Sequence, residues 1–240
     1  MVSRQSMSPK PIYVAIDTDN MHQAQMLSAQ VTRAGAGIKL GLQFFCNHGK
    51  AGVESLIKAC AQPPSVFLDL KFHDIPNTVA GAIASLEGLK IDFINVHAAG
   101  GEAMMVAAKK AAEALSSKPK LLAVTVLTSL DDEALNAVGQ QTPAQHQVLT
   151  LAKLTKKCGL DGVVCSAHEI ETIRAECGDN FALMVPGIRP EGSDIGDQKR
   201  VMTPKEAIDK GANHLVIGRP ITQSADPQKT IQEILESIAT

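Results

Sequence analysis

The stretch VFLDLKFHDIPNT, residues 66–78, places three charged side chains at the end of an apolar run. Its first five residues are typical of a buried strand. Asp69, Lys71 and Asp74 then follow within six positions, and Pro76 interrupts the strand pattern. Asp69 and Lys71 are two residues apart, so their side chains share one face of a strand. Alternating charges of this kind hold one another ionised, because each opposite neighbour favours the charged form.

We expect a second lysine, on the neighbouring strand, to lie close to these charged residues. Lys39 lies in the preceding apolar run, GIKLG, which predicts the neighbouring strand. A single charge at a strand end is more often a solvated residue or half of an ordinary ion pair. Lys39, Asp69, Lys71 and Asp74, hereafter the charged tetrad, favour a common site when they are taken together.

The elements that must position the tetrad follow from the hydrophobic pattern. Eight short apolar runs, rich in β-branched residues, alternate with segments of helical periodicity. After the first run, Ala24, Leu27, Val31 and Ala34 recur on one helical face, and Asp226 with Pro227 marks the start of the last helix. The eight runs are residues 12–17, 37–40, 66–70, 92–97, 121–127, 162–165, 181–185 and 214–217.

Alternating strands and helices predict a parallel sheet, and continuous apolar strands fit a sheet that is covered on both faces. Eight such units in 240 residues predict an α/β protein built as a single (β/α)8 TIM barrel. The alternative is a doubly wound open sheet, which normally has fewer strands and a glycine-rich first turn. We expect residues 1–10 to be a short disordered lead-in and residues 11–240 to form the barrel domain.

Composition excludes several classes of function. A net charge of −2 gives no reason to expect a nucleic acid, and the chain has no Trp and one Tyr to stack on bases. No apolar segment is long enough to cross a membrane. The five cysteines are an odd number without a CxxC pair, so we interpret them as reduced thiols, placed in the core of a cytoplasmic protein.

The end of the chain suggests a phosphate site. In a barrel, the loops after the last two strands often bind phosphate through backbone N–H groups. IGRP, at the eighth run, supplies Gly218 for close backbone approach and Arg219 for the oxyanion. The loop GIRPEGSDIGDQKR, residues 187–200, has the composition of a mobile lid. Together these features favour a phosphorylated small molecule as the ligand.

At this point the motifs resemble those of a known family. DLKFHDIPNT is similar to the signature of the orotidine 5′-monophosphate decarboxylases. AIDT, IKLG, VHAAGG, TVLTS, PGIRP, GDQKRV and IGRPIT resemble that family in the same order, over roughly residues 11–238, and match its monofunctional bacterial form best. The chain departs from the pattern at Val185, where threonine is expected, and in GLQFF after Lys39.

The resemblance implies a homodimer that decarboxylates orotidine 5′-monophosphate to UMP with no cofactor and no metal. It assigns catalysis to the charged tetrad, with Lys71 as the proton donor. It also implies that Asp74, with the neighbouring Ile75 and Thr78, reaches into the partner's site. The other substrate-binding positions that we predict are Asp17 and Lys39 at the ribose, Ser129 and Pro186 at the pyrimidine, Arg189 and Gln198 in the lid region, and Gly218 and Arg219 at the phosphate.

Two other functions remain open from the sequence. One is a related phosphosugar decarboxylase or synthase, which has a similar Asp-x-Lys-x-x-Asp core but uses magnesium. The other is a non-catalytic nucleotide-binding barrel, which has no need of Lys71 between two aspartates. His73 and His97 lack a partner at metal-ligand spacing, so we expect a structural or supporting role for both.

Overall fold

Each apolar run forms a strand, and the strands close into a parallel barrel in chain order. The structure is a computed structural model and describes residues 10–190 and 202–239. Residues 1–9 of the predicted lead-in lie outside the described residues. The prediction of a (β/α)8 barrel is confirmed. The strands are β1 Ile12–Ala15, β2 Gly37–Leu40, β3 Val66–Phe72, β4 Phe93–His97, β5 Lys120–Val124, β6 Gly162–Val164, β7 Ala182–Pro186 and β8 His214–Ile217.

Helices connect the strands and cover the outside of the barrel. Two 3-10 turns, Ala98–Gly100 and Ala167–Glu169, precede the fourth and seventh helices. The helices within the described residues are α1 Met21–Arg33, α2 Leu42–Ala59, α3 Pro76–Ala84, α4 Gly101–Ala114, α5 Asp132–Ala137, α6 Ala144–Lys157, α7 Ile170–Cys177, α8 Pro204–Asp209, α9 Arg219–Thr222 and α10 Pro227–Ala239.

The predicted caps and apolar faces are present. The Asp226 carboxylate accepts a hydrogen bond from the Lys229 backbone N–H at 3.1 Å, and α10 begins at Pro227. On α1, Ala24 and Val31 are fully buried against the sheet. The periodicity of α1 therefore identified its core face correctly.

An apolar layer covers each face of the sheet, one outside the barrel and one inside it, because successive strand residues face opposite sides. The outer layer packs strands against helices and contains most of the core, including Ile12, Val14 and Ile38. The inner layer fills the barrel with Tyr13, Ala15, Phe67, Phe93, Leu122, Ala182, Met184 and Val216. The next inward positions toward the carboxyl ends of β2 and β3 are Lys39 and Asp69, so alternation delivers these polar groups to the barrel mouth.

The structure corrects some details. The fifth strand ends at Val124, three residues before the predicted end, and Leu127 lies in an exposed connection. The third strand extends through Lys71 to Phe72. Core placement of all five cysteines was wrong: Cys165 and Cys177 are buried, but Cys46 is exposed because it lies on the solvent side of α2. All five cysteines are free. Over the described ranges, no helix combines the length and apolarity needed to span a membrane.

Candidate active site

A cavity of about 320 Å³ opens at the carboxyl ends of the strands. Parallel strands direct the residues that follow them to this end of the barrel, where barrel enzymes place their active sites. Polar walls come from β1, β2, β3 and the loops after β7 and β8, and an apolar wall comes from β5 and β6. The predicted residues that line the cavity are Asp17, Lys39, Asp69, Lys71, Pro186, Arg189, Gly218 and Arg219.

Four of these side chains form an unbroken line of alternating charge. The Lys39 ammonium lies 3.5 Å from Asp17 Oδ1 and 3.3 Å from Asp69 Oδ2. The other carboxylate oxygen of Asp69 accepts a hydrogen bond from Lys71 Nζ at 2.6 Å. Lys39 and Asp69 are buried, whereas the Lys71 side chain is 29% exposed and faces the cavity. The two ends of the line, Asp17 and Lys71, are its exposed members, and Lys71 is the lysine more accessible to a ligand in the cavity.

The surroundings of Asp69 keep it ionised despite burial. Burial is the largest single influence on its carboxyl and opposes ionisation. The charges of Lys39 and Lys71, together with two side-chain hydrogen bonds, outweigh burial and hold the pKa of Asp69 below its usual value.

Lys71 has an unusual backbone conformation. Its φ is +50°, in the left-handed region that residues other than glycine rarely adopt. The pairing between β3 and β4 shifts register around it. The Lys71 N–H donates to Asn95 Oδ1 at 2.8 Å, and Asn95 Nδ2 donates to Asp69 Oδ1 at 2.7 Å. Asn95 is not among the residues that the sequence predicted for the site. The period of two from Phe93, which faces the barrel interior, was the signal that could have found it.

At the apolar wall, the structure differs by one residue from the predicted contact. Thr128 lines the cavity beside Val126 and Leu127, whereas the predicted Ser129 is exposed and is not part of the lining. Both residues lie in a turn closed by a hydrogen bond from the Leu130 N–H to the Leu127 carbonyl at 3.0 Å, where Thr128 is half-buried and Ser129 is exposed. Their side chains therefore lie in different surroundings, which composition alone did not distinguish.

The predicted residues after β3 do not line the cavity of their own chain. Asp74, Ile75 and Thr78 are exposed, Ile75 by 67%. One carboxylate oxygen of Asp74 accepts the backbone N–H of Ile75 at 2.6 Å. The predicted lid residue Gln198 lies outside the described residues, as does Arg200.

His73 and His97 lie side by side at the rim, with ring centroids 5.3 Å apart. Burial, followed by the nearby charges of His73 and Lys71, lowers the pKa of His97. Within the described part of the chain, no three His, Cys, Asp or Glu side chains gather as a potential metal site.

Comparisons with known proteins bear on this geometry. A family model described as "Orotidine 5'-phosphate decarboxylase / HUMPS family" matches residues 10–234. A relative from Rhodospirillum rubrum named orotidine 5′-phosphate decarboxylase is 51% identical, and the match covers 97% of this chain and 95% of that relative. A relative of the same name from Idiomarina loihiensis is 50% identical, and the match covers 95% of this chain and 97% of that relative.

Solved structures show the same likeness. The crystal structure of orotidine 5′-phosphate decarboxylase from Lactobacillus acidophilus superposes with a TM-score of 0.84 at 38% identity. The match covers 96% of this chain and 100% of that one.

Proposed function

The chain belongs to the orotidine 5′-phosphate decarboxylase / HUMPS family, and we propose that it converts orotidine 5′-monophosphate into UMP and CO₂ in pyrimidine synthesis. Relatives of about half-identical sequence carry the decarboxylase name over nearly their full length. The observation that carries the proposal is the buried Asp69 carboxylate between two lysines, both of which line the cavity.

The chemistry requires a cation at the reacting carbon. When the bond from C6 of the pyrimidine to the carboxylate breaks, the electron pair stays on C6 and CO₂ leaves. The ring delocalises this charge poorly, so catalysis depends on stabilising it electrostatically. Lys71 stabilises the charge through its ammonium group and then donates a proton to C6. The neutral amine is reprotonated from solvent, which closes the cycle.

Asp69 favours the transition state in a second way. It lies next to Lys71 and thus beside the leaving carboxylate of a substrate placed for proton transfer. Repulsion between the two carboxylates decreases as CO₂ becomes neutral, so the interaction is less unfavourable in the transition state than in the ground state. Lys39 keeps Asp69 charged and bridges it to Asp17, which faces the ribose.

The phosphate binds at the opposite wall. Gly218 and Arg219 line the cavity after β8, and Arg189 lines it after β7. Arginine suits phosphate because its planar fork makes paired, charge-assisted hydrogen bonds. Binding energy from the phosphate, remote from C6, contributes to closing and ordering the site. Gln198 from the lid and Pro186 complete the substrate contacts in this proposal.

We propose further that the active protein is a homodimer with shared sites. Asp74, Ile75 and Thr78 stand exposed at the rim rather than in their own cavity. An exposed isoleucine next to functional polar residues fits a surface that a second copy covers.

Reduced cysteines are typical of the cytoplasm, and five free cysteines support that location for the enzyme.

One assay separates this function from its rivals. The purified protein is incubated with orotidine 5′-monophosphate and EDTA, and loss of the orotidylate ultraviolet absorbance is followed. We expect complete conversion, with UMP as the product on chromatography. A magnesium-dependent phosphosugar enzyme would give no change here but would act on its sugar phosphate when Mg²⁺ is added. A non-catalytic barrel would bind UMP and turn over neither substrate.

A further inference from the structure

Between the same two pairing positions, β3 contains more residues than β4, and the charged groups lie in this part of β3. Leu68 pairs with Ile94 and Phe72 pairs with Val96, so β3 uses four residue steps where β4 uses two. The extra length is a bulge that contains Asp69 and Lys71. Bulges redirect side chains and interrupt the hydrogen-bond ladder of a sheet. Asn95 is the one residue of β4 that lies opposite this bulge.

The Asn95 amide occupies the gap in the ladder. It is fully buried, its Oδ1 accepts the Lys71 N–H at 2.8 Å, and its Nδ2 donates to Asp69 Oδ1 at 2.7 Å. The orientation of the amide is determined by its neighbours, since a backbone N–H only donates and an ionised carboxylate only accepts. A single side chain thus joins the backbone of Lys71 to the carboxylate of Asp69.

We propose that Asn95 is a positioning residue for the decarboxylation. Its carbonyl holds Lys71 in the left-handed conformation, and its amide N–H holds Asp69 where it meets the Lys71 ammonium. Without this bridge, the bulge has no ladder partner for the Lys71 N–H, and the two side chains lose their common anchor. The inference rests on the proposed function for its kinetic consequence, although the geometric claim stands independently.

Two substitutions separate the two ends of the bridge. Asn95→Asp keeps an acceptor for the Lys71 N–H but replaces the donor to Asp69 with a carboxylate oxygen. Asn95→Leu fills a similar volume and removes both contacts. The matched control is Asn213→Leu, because Asn213 Oδ1 similarly accepts from the Leu183 N–H at 2.8 Å and from Arg174 at the opposite end of the barrel.

Kinetics provides the first readout. We expect kcat to fall about 100-fold in both Asn95 variants, as for a misplaced catalytic group, while the Kd for UMP changes by less than about threefold. The Asp69 carboxylate is required in its ionised form, so activity is lost as pH falls through its pKa. Asn95→Asp places two carboxyl groups together, raises that pKa, and moves the acid limb of kcat/KM to higher pH. Asn213→Leu lowers stability but leaves kcat and the pH profile unchanged.

A second readout is independent of turnover. The ¹³C carboxyl resonance of Asp69, assigned with Asp69→Asn, is titrated by NMR in the wild type and in Asn95→Leu. A higher midpoint in the variant supports the proposal even if the wild type does not consume orotidylate, an outcome that would refute only the proposed function. An unchanged midpoint, or wild-type kcat and pH profile in both variants, overturns the role of Asn95. If neither variant folds, Asn95 is a structural residue of the barrel and the proposal is wrong.

Discussion

At the scale of single residues, the decisive feature is how Lys71 is held. Its backbone is fixed at a positive φ, its ammonium group is paired with Asp69, and its side chain faces the cavity. A lysine restrained at both ends loses little freedom when it stabilises a developing charge, and preorganised charge of this kind is the main source of catalysis in many enzymes.

Removing this ammonium group should abolish turnover without abolishing binding. In the proposed mechanism, Lys71→Ala eliminates both charge stabilisation and proton donation, each of which contributes a factor of at least about 100, so we expect kcat to fall by about 10⁴-fold or more. UMP carries no C6 carboxylate, and its affinity should stay within about tenfold. Stopped assays for turnover and calorimetry for UMP binding measure the two effects.

Lys109→Ala is the matched control for this substitution. Lys109 also makes a close ion pair, 2.7 Å from Asp161, but it lies outside the cavity. It should retain turnover close to that of the wild type. Substantial residual activity in Lys71→Ala would exclude Lys71 as the proton donor.

Arg219 should affect a different quantity. Arg219→Ala removes the proposed phosphate contact, which is remote from C6, so kcat/KM for orotidine 5′-monophosphate should fall by about 100-fold or more. Orotidine, which lacks the phosphate, should react equally slowly with the wild type and with the variant. Equal losses on both substrates would instead indicate a general effect of Arg219 on the site.

At the scale of elements, the barrel depends on close strand contacts that leave no room for side chains at some positions. A Cβ on Gly162 of β6 would overlap the carbonyl oxygen of Ala182 on β7. Backbone cannot move aside as a flexible side chain can. The small residue at this position therefore sets the spacing of the β6–β7 pair.

We predict that Gly162→Ala lowers the free energy of unfolding by at least about 2 kcal/mol, within the range of overpacked cores. Gly81→Ala is the matched control, since Gly81 is an exposed helical glycine in α3 with open space at its Cβ. That change should be neutral or stabilising by up to about 1 kcal/mol. Urea unfolding measures both variants, and equal midpoints would contradict the packing argument.

The same scale shows what the sequence could predict. Apolar runs and helical periodicity located all eight strands and the capped start of α10, because burial imposes those patterns directly. The bulge in β3 could not be predicted, since the mismatch of four steps against two arises from pairing with β4, not from local preference. The period of two from Phe93 places Asn95 inside the barrel, but its contacts could not be predicted, because they exist only opposite the bulge.

Site residues followed a similar division. Strand-end positions such as Lys39, Asp69 and Gly218 were predicted to lie together, and the cavity brings them together. Thr128 and Ser129 are adjacent hydroxyl residues in a connection without regular alternation, so no sequence period indicates which of them faces the cavity. The structure places Thr128 there.

At the scale of the whole molecule, one chain presents an incomplete version of the charged tetrad. Lys39, Asp69 and Lys71 meet in the cavity, whereas Asp74 is exposed at the rim with Ile75 and Thr78. If the proposed two-fold dimer covers one rim segment with the other copy, it covers both, because the contacts of such an interface are reciprocal. Each active site would then take Lys71 from one chain and Asp74 from the other.

Mixing two inactive variants tests this account most directly. Lys71→Ala homodimers should be inactive and Asp74→Ala homodimers severely impaired. After equal mixing and random subunit exchange, about half the dimers are mixed, and each contains one intact site and one that lacks both residues. Orotidylate decarboxylation should therefore rise to about a quarter of the wild-type rate. If Asp74 served its own chain, every site in a mixed dimer would carry a substitution, and mixing would restore no activity. An absence of recovery, once tagged subunits have verified the exchange, would therefore contradict the shared site.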